Sequence, residues 1–238
     1  MLALSLAAPM AIGADAAVIP AFSATKPAPG LPAQWRALVP STAKAPSFDL
    51  VQDAGATVLR VRSQAAAGAA AHALHADLAS GPILSWRWKV DRVVERADLA
   101  TRAGDDFAAR VYVFFDVPST ELPLADRIRL AIARLLHGEQ LPSTAICYVW
   151  DNRHPIGTAV WSPYTDRVRV VVLESGAERV GQWTAERRDL AADYRAAFGE
   201  NAPLRPVSGV AVGNDTDQTG ESATAWFADL ALEAGGAR

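Results

Sequence analysis

Apolar and polar residues alternate along much of this chain. In Leu84-Ser-Trp-Arg-Trp-Lys-Val90, the residues Leu84, Trp86, Trp88 and Val90 share one face, and Ser85, Arg87 and Lys89 take the other. A period of two predicts a strand with one packed face and one wet face. The stretch 107–115 repeats it, with Phe107, Ala109, Val111, Val113 and Phe115 on one side and Arg110 and Tyr112 opposite. In 57–62 the alternation is partial: Leu59 and Val61 point toward a core, and Val58, Arg60 and Arg62 away from it. Further strands are predicted at 144–150, 167–174, 207–213 and 223–232, with weaker segments at 48–52 and 70–77. Roughly nine strands suit an antiparallel β-sandwich.

Two segments follow a helical period instead. Leu124, Ile128, Ile132 and Leu135 predict a helix over 124–137. Asp189 stands where a cap would for a second helix over 190–198, with Leu190, Tyr194 and Ala197 as its apolar stripe and Gly199 as its stop. The fold class expected is therefore mostly β, a sandwich with two inserted or flanking helices.

The start of the chain reads differently. Residues 1–13 are apolar but too few to span a bilayer, and Ala14-Asp15-Ala16 places small residues where a signal peptidase cuts. We expect residues 1–16 to be a signal peptide whose basic start lies upstream, and the mature protein to be periplasmic or secreted. Residues 17–46 are rich in Ala and Pro, with Pro20, Pro27, Pro29, Pro32 and Pro40 arguing against regular elements. That segment is expected to drape over the domain as extended chain, with Trp35 as an anchor. Residues 47–238 are expected to form one domain. No later apolar run reaches bilayer length.

Composition narrows the function classes. The net charge is -3, and no basic stripe is present, so nucleic acid is not expected as a partner. Cys147 is the single cysteine, in the apolar run Ala145-Ile-Cys-Tyr-Val-Trp150, and reads as a small core residue. The four histidines lack metal-ligand spacing. There is no Gly-x-Ser-x-Gly elbow, phosphate loop or dinucleotide fingerprint.

Several motifs in order carry a family resemblance: Leu84-Ser-Trp-Arg-Trp-Lys-Val90, Gly104-Asp-Asp-Phe-Ala-Ala-Arg110, Ala145-Ile-Cys-Tyr-Val-Trp150, Arg188-Asp-Leu-Ala-Ala-Asp-Tyr-Arg-Ala-Ala-Phe-Gly199 and Asp215-Thr-Asp-Gln-Thr-Gly220. Over about residues 20–233 the chain resembles the bacterial family called domain of unknown function 3047. The resemblance implies a secreted or periplasmic protein and supplies no catalytic residues. The early Trp-rich strand and the closing Trp226-Phe-Ala-Asp-Leu230 also resemble galactose-binding-type jelly rolls, a likeness of fold that does not fix function.

Three groups of residues are candidates for chemistry. Within 214–221, Asp215, Asp217, Thr219 and Glu221 present oxygens at alternate positions, as calcium requires; the twelfth position is Trp226, where a bidentate carboxylate would stand in an EF-hand. The competing reading of this loop is a plain polar turn. Asp105 and Asp106 precede the strand of Arg110; with Asp215 and Glu221 they are candidate acids, Asp106 paired with Asp215 or Glu221 being the arrangement glycoside hydrolysis would use, and the competing reading joins Asp106 to Arg110 in a structural ion-pair network. Trp161 and Tyr164, in a predicted loop, are the exposed aromatics best suited to stack on a sugar, with Arg110 as a polar partner. Whether Arg60, Arg62, Arg87 and Arg110 converge on an anion is a question for the fold.

These features favour a non-catalytic binding module for carbohydrate or another cell-envelope ligand, with calcium as its potential cofactor. One alternative is a hydrolase or lyase acting on polysaccharide through loop carboxylates. Another is an envelope protein-interaction domain without a small ligand.

Overall fold

A computed structural model of the protein describes residues 18–118 and 144–235. The expected signal peptide at 1–16 and the expected helix at 124–137 lie outside the described residues. Fourteen strands are present among the described residues. They are β1 (Ala28–Pro29), β2 (Arg36–Leu38), β3 (Ser47–Asp53), β4 (Ala56–Gln64), β5 (Ala67–Ala76), β6 (Ile83–Val90) and β7 (Phe107–Phe115). After the undescribed stretch come β8 (Thr144–Asp151), β9 (Ala159–Ser162), β10 (Thr165–Ser175) and β11 (Thr184–Asp189). Helix α1 (Leu190–Phe198) precedes β12 (Val207–Asp215), β13 (Ser222–Phe227) and β14 (Ala231–Glu233).

The strands form two sheets. The first runs β1-β3-β4-β13-β6-β11, with β14 also paired to β6; the second runs β2-β5-β12-β7-β8-β10-β9. Pairing is antiparallel throughout except between β8 and β10. The main core fills the space between the sheets. Leu59, Val61, Leu84, Trp86, Trp88, Val90 and Phe227 come from the first sheet and meet Val111, Val113, Ile146, Tyr148, Trp150 and Val212 of the second. Aromatic pairs bridge the gap: Trp86 and Tyr148 have ring centroids 5.4 Å apart, and Trp88 and Trp150 5.9 Å. The sandwich expected from alternation is the fold.

Local details depart from the pattern where backbone geometry intervenes. Alternation groups Phe107 with Val111 and Phe115, yet it packs with Leu99, Cys147 and Val149 on the opposite face of the second sheet. The reason is a bulge: Arg110 pairs with Gly213 and Phe107 with Asp215, so β7 carries one extra residue there and reverses its facing. The expected strand 223–232 is two strands, broken after Phe227, where the Ala228 N–H bonds to Arg87. Val58 is buried although its neighbours Arg60 and Arg62 are not. The segment 17–46 is more regular than its prolines suggest. It supplies β1 to the first sheet and β2 to the second, and Trp35 anchors it in the core against Phe22 at 4.8 Å. Asp189 caps α1 as expected, accepting from the N–H groups of Ala191 and Ala192. Among the described residues no helix is long and apolar enough to cross a membrane.

Candidate functional site

The outer face of the second sheet is where chemistry can gather, because the bulge and the small residues of β5 and β12 open it. On β7, Arg110, Tyr112 and Phe114 point away from the main core, opposite Val111 and Val113. Across β12 and β5 the same face carries Ala211 and Gly213, then Ala67 and Ala69, with Gly68 between them. A Cβ on Gly213 would lie 2.2 Å from the Gly68 carbonyl oxygen, so only glycine fits. The result is an open cleft of about 580 Å³. Its floor is Ala and Gly, one wall is the segment 36–41 that includes Arg36 and Ser41, and the other is the stacked pair Tyr112 and Phe114, with centroids 5.7 Å apart. Arg110 and Asp215 close one end.

Arg110 organises that end. It is 7% exposed. Its guanidinium lies 4.6 Å from the centroid of the Phe107 ring, which supports it from one side. Nη1 donates to the Tyr112 hydroxyl at 2.9 Å, and Nη2 pairs with Asp215 at 2.5 Å and donates to the Asp105 carbonyl. Its carboxylate partners are thus Asp215 and, at 3.7 Å, Asp105, rather than Asp106. Nε faces no partner. A buried guanidinium keeps its charge, and the adjacent Asp215 raises its pKa further, against the cost of burial.

Behind Arg110 the carboxylates crowd. Asp106 is fully buried and accepts from the backbone N–H groups of Gln218 and Thr219, at 3.3 and 2.7 Å. Asp215 accepts from the Phe107 N–H at 3.0 Å. One carboxylate oxygen each from Asp106, Asp215 and Asp217 lies within 4.8 Å of the others. Asp105 is buried beside them, and its Oδ1 has no partner. Burial and then mutual repulsion raise the pKa values of Asp215, Asp105 and Asp217, with Arg110 opposing.

The other expected residues are placed as follows. Glu221 turns away from this group: its carboxylate accepts from the backbone N–H groups of Glu95 and Arg96 and from the Arg96 side chain. The Thr219 carbonyl is taken by Arg96, and its hydroxyl accepts from the Glu221 N–H. Tyr164 is 50% exposed, donates to the Arg102 carbonyl at 2.9 Å, and lies near enough to Asp105 and Asp217 that both add to burial in raising its pKa. Trp161 is exposed too, but it belongs to β9 rather than a loop. It packs on Phe198 and Arg169, at 5.9 and 4.9 Å, on the side facing the main core, so it does not share a face with the cleft. The four arginines do not converge. Arg60 and Arg62 share Asp49, Arg87 lies over Trp183, and Arg110 is on the other sheet.

Alternation placed Tyr112 opposite the core, yet neither it nor Phe114 was singled out as a wall. Nor was a second pair of carboxylates, Glu174 on β10 and Glu186 on β11, at the margin of the main core. Glu186 accepts from the Trp88 indole at 3.2 Å, and Glu174 pairs with Arg179 at 3.1 Å. Burial first, then Glu174, pushes Glu186 up to about 7 from 4.5. The folded carboxyl holds its proton more tightly than the unfolded one. Its stabilising contribution is therefore complete below pH 4.5 and lost as the pH rises through 7. Glu186→Gln is expected to flatten that dependence and to gain on the order of 1 kcal/mol at pH 8, after allowing for solvent screening. Thermal melts across pH 4–8 read it directly; equal slopes in both proteins would contradict it.

Solved structures resemble the chain at low identity. The catalytic domain of Cel12A from Humicola grisea is 12% identical, covers 86% of this chain and 96% of its own, and has a TM-score of 0.47. The family 30 carbohydrate-binding module of a Clostridium thermocellum cellulosomal cellulase is 13% identical, with coverages of 91% and 98% and a TM-score of 0.42. The xyloglucanase domain of NopAA from Sinorhizobium fredii is 8% identical, with coverages of 85% and 99% and a TM-score of 0.40. None of their residue roles transfers at such values. No curated protein matches the chain. Residues 33–231 match the family described as protein of unknown function (DUF3047), and the chain belongs to that family.

Proposed function

We propose that this chain is an exported, non-catalytic binding module that takes a carbohydrate in the cleft on its second sheet. The observation that carries the reading is the make-up of that cleft. A sugar ring has apolar C–H faces and a polar rim. The stacked Tyr112 and Phe114 offer the apolar wall, and the Ala and Gly floor lets a flat ligand approach the backbone. Arg110 and Asp215 close the polar end, and Arg36 and Ser41 stand on the opposite wall for hydroxyls. Pockets of this size, mostly apolar with few convergent polar groups, suit small ligands or short segments of a polymer.

Hydrolysis of a glycosidic bond calls for two carboxylates flanking it, roughly 5–10 Å apart. Among the described residues lining the cleft the carboxylate is Asp215, and it is tied to Arg110. That arrangement favours holding over cutting. Export follows the apolar start of the chain, and cell fractionation tests it.

The test of binding is calorimetric titration with soluble glucans, xylans, mannans and peptidoglycan fragments. A ligand is expected to bind, and Phe114→Ala to weaken it by about tenfold or more while the melting temperature stays near that of the parent. No binding across the panel, or binding indifferent to Phe114, would overturn the reading.

A further inference from the structure

We propose that Asp106, Asp215 and Asp217 form a binding site for a calcium-like divalent cation immediately behind the closed end of the cleft. Charge is the first argument. Four carboxylates meet in one place, and among the described residues the cation in contact with them is Arg110, which reaches Asp105 and Asp215 alone. Asp106 is completely buried and Asp105 nearly so. Three negative charges in excess at such a site are tolerated only with a bound cation or with protons.

Geometry is the second argument. The oxygens of Asp106, Asp215 and Asp217 lie within 4.8 Å of one another. An ion at a calcium–oxygen distance of about 2.4 Å touches oxygens separated by up to twice that length. Backbone N–H groups and Arg110 fix Asp106 and Asp215 in place without exhausting the lone pairs of their oxygens. The third argument is independent of the cluster's own bonds. Asp105, next to Asp106 in the chain, is 8% exposed, and its Oδ1 has no partner. A buried carboxylate oxygen without a donor is costly, and a cation answers that cost directly. Hard oxygen ligands with no nitrogen or sulfur suit calcium or magnesium rather than zinc or copper, and the half-buried Asp217 leaves an open side for water to complete the larger calcium shell.

The site differs from a linear loop site in that Asp106 joins it while Thr219 and Glu221 leave it. Asp106 comes from before β7, more than a hundred residues earlier in the chain, and Glu221 is excluded because Glu95 and Arg96 hold its carboxylate. The two possibilities separate by mutation. The full chain, stripped with chelator, is titrated with calcium chloride by calorimetry and followed by thermal melting. Calcium is expected to raise the melting temperature by several degrees, as a ligand of the folded state alone does. Asp217→Asn, at a half-buried position, is expected to weaken calcium binding by about tenfold or more, and Asp106→Asn to abolish it. Glu221→Gln is expected to bind as the parent does. Terbium luminescence sensitised through Tyr164, lost in Tyr164→Phe and displaced by calcium, would locate the ion beside Asp105 and Asp217. Absence of calcium binding at millimolar concentration in the stripped parent overturns the proposal, and so does a site destroyed by Glu221→Gln but indifferent to Asp217→Asn. None of these readouts involves a sugar, so failure here leaves the cleft reading standing, and the reverse holds.

Discussion

Arg110→Met is expected to destabilise the fold by about 3–5 kcal/mol at neutral pH. The cost is not the net worth of an ion pair, which is small once two charges have been desolvated. It is the penalty of leaving Asp215 and Asp105 buried without their cation, and of depriving the Tyr112 hydroxyl of its donor. Without Arg110 the Asp215 pKa rises further, so the folded form prefers the protonated carboxyl still more. The added loss is then greatest at high pH and shrinks as the pH falls through the ordinary carboxylate range, where folded and unfolded chains both carry the proton. Urea unfolding with chelator present, at pH 5 and pH 8, measures both effects. Asp215→Asn combined with Arg110→Met is expected to recover part of the loss, because the orphaned charge goes with it. A single variant as stable as the parent at pH 8 would show that the pair is not buried in solution as the structure has it.

Trp88→Ala is expected to cost a similar amount, about 3–5 kcal/mol, for a different reason. Trp88 is fully buried, meets Trp86 edge-on at 5.7 Å, and faces Trp150 across the sandwich. Removing it opens a cavity between two sheets whose positions many other contacts fix, so the space cannot collapse. The same change takes away the indole donor of Glu186, which lowers that carboxyl's pKa when bonded, so the residual pH dependence steepens. Equilibrium unfolding should show a lower midpoint with an unchanged slope. A loss below about 1 kcal/mol would mean that neighbouring side chains refill the site.

The strands that build the core were legible because their residues are large. Leu84, Trp86, Trp88 and Val90 alternate without exception, and the structure buries all of them. The cleft was not legible, because it is made of what is missing. Ala67, Gly68, Ala69, Ala211 and Gly213 carry no periodic signal, and which face of the sheet they open depends on a bulge that no hydrophobic pattern announces. The carboxylate group was half legible. Asp215 and Asp217 stand two apart and share a side, as the spacing implied, but Asp106 joins them through the pairing of β7 with β12, a long-range fact. Glu221 fitted the spacing equally well and left the group because two backbone N–H groups of a distant loop hold it more favourably. Strand β11 was missed because Thr184-Ala-Glu-Arg-Arg-Asp189 has no apolar alternation to read.

The proline-rich beginning of the domain, which laces both sheets through β1 and β2, has a consequence for how molecules of this protein meet one another. Unpaired backbone at the rim of a sheet invites a second chain to add itself as another strand. Here β1 is two residues long and ends in Pro29, and β2 is three residues long, so each of the two rims they finish offers almost no ladder to extend. The opposite rims are β11, with Glu186, Arg187 and Arg188 in succession, and the four-residue β9. All four margins among the described residues are therefore short, charged or interrupted by proline. A sandwich finished in this way resists edge-to-edge polymerisation at high local concentration.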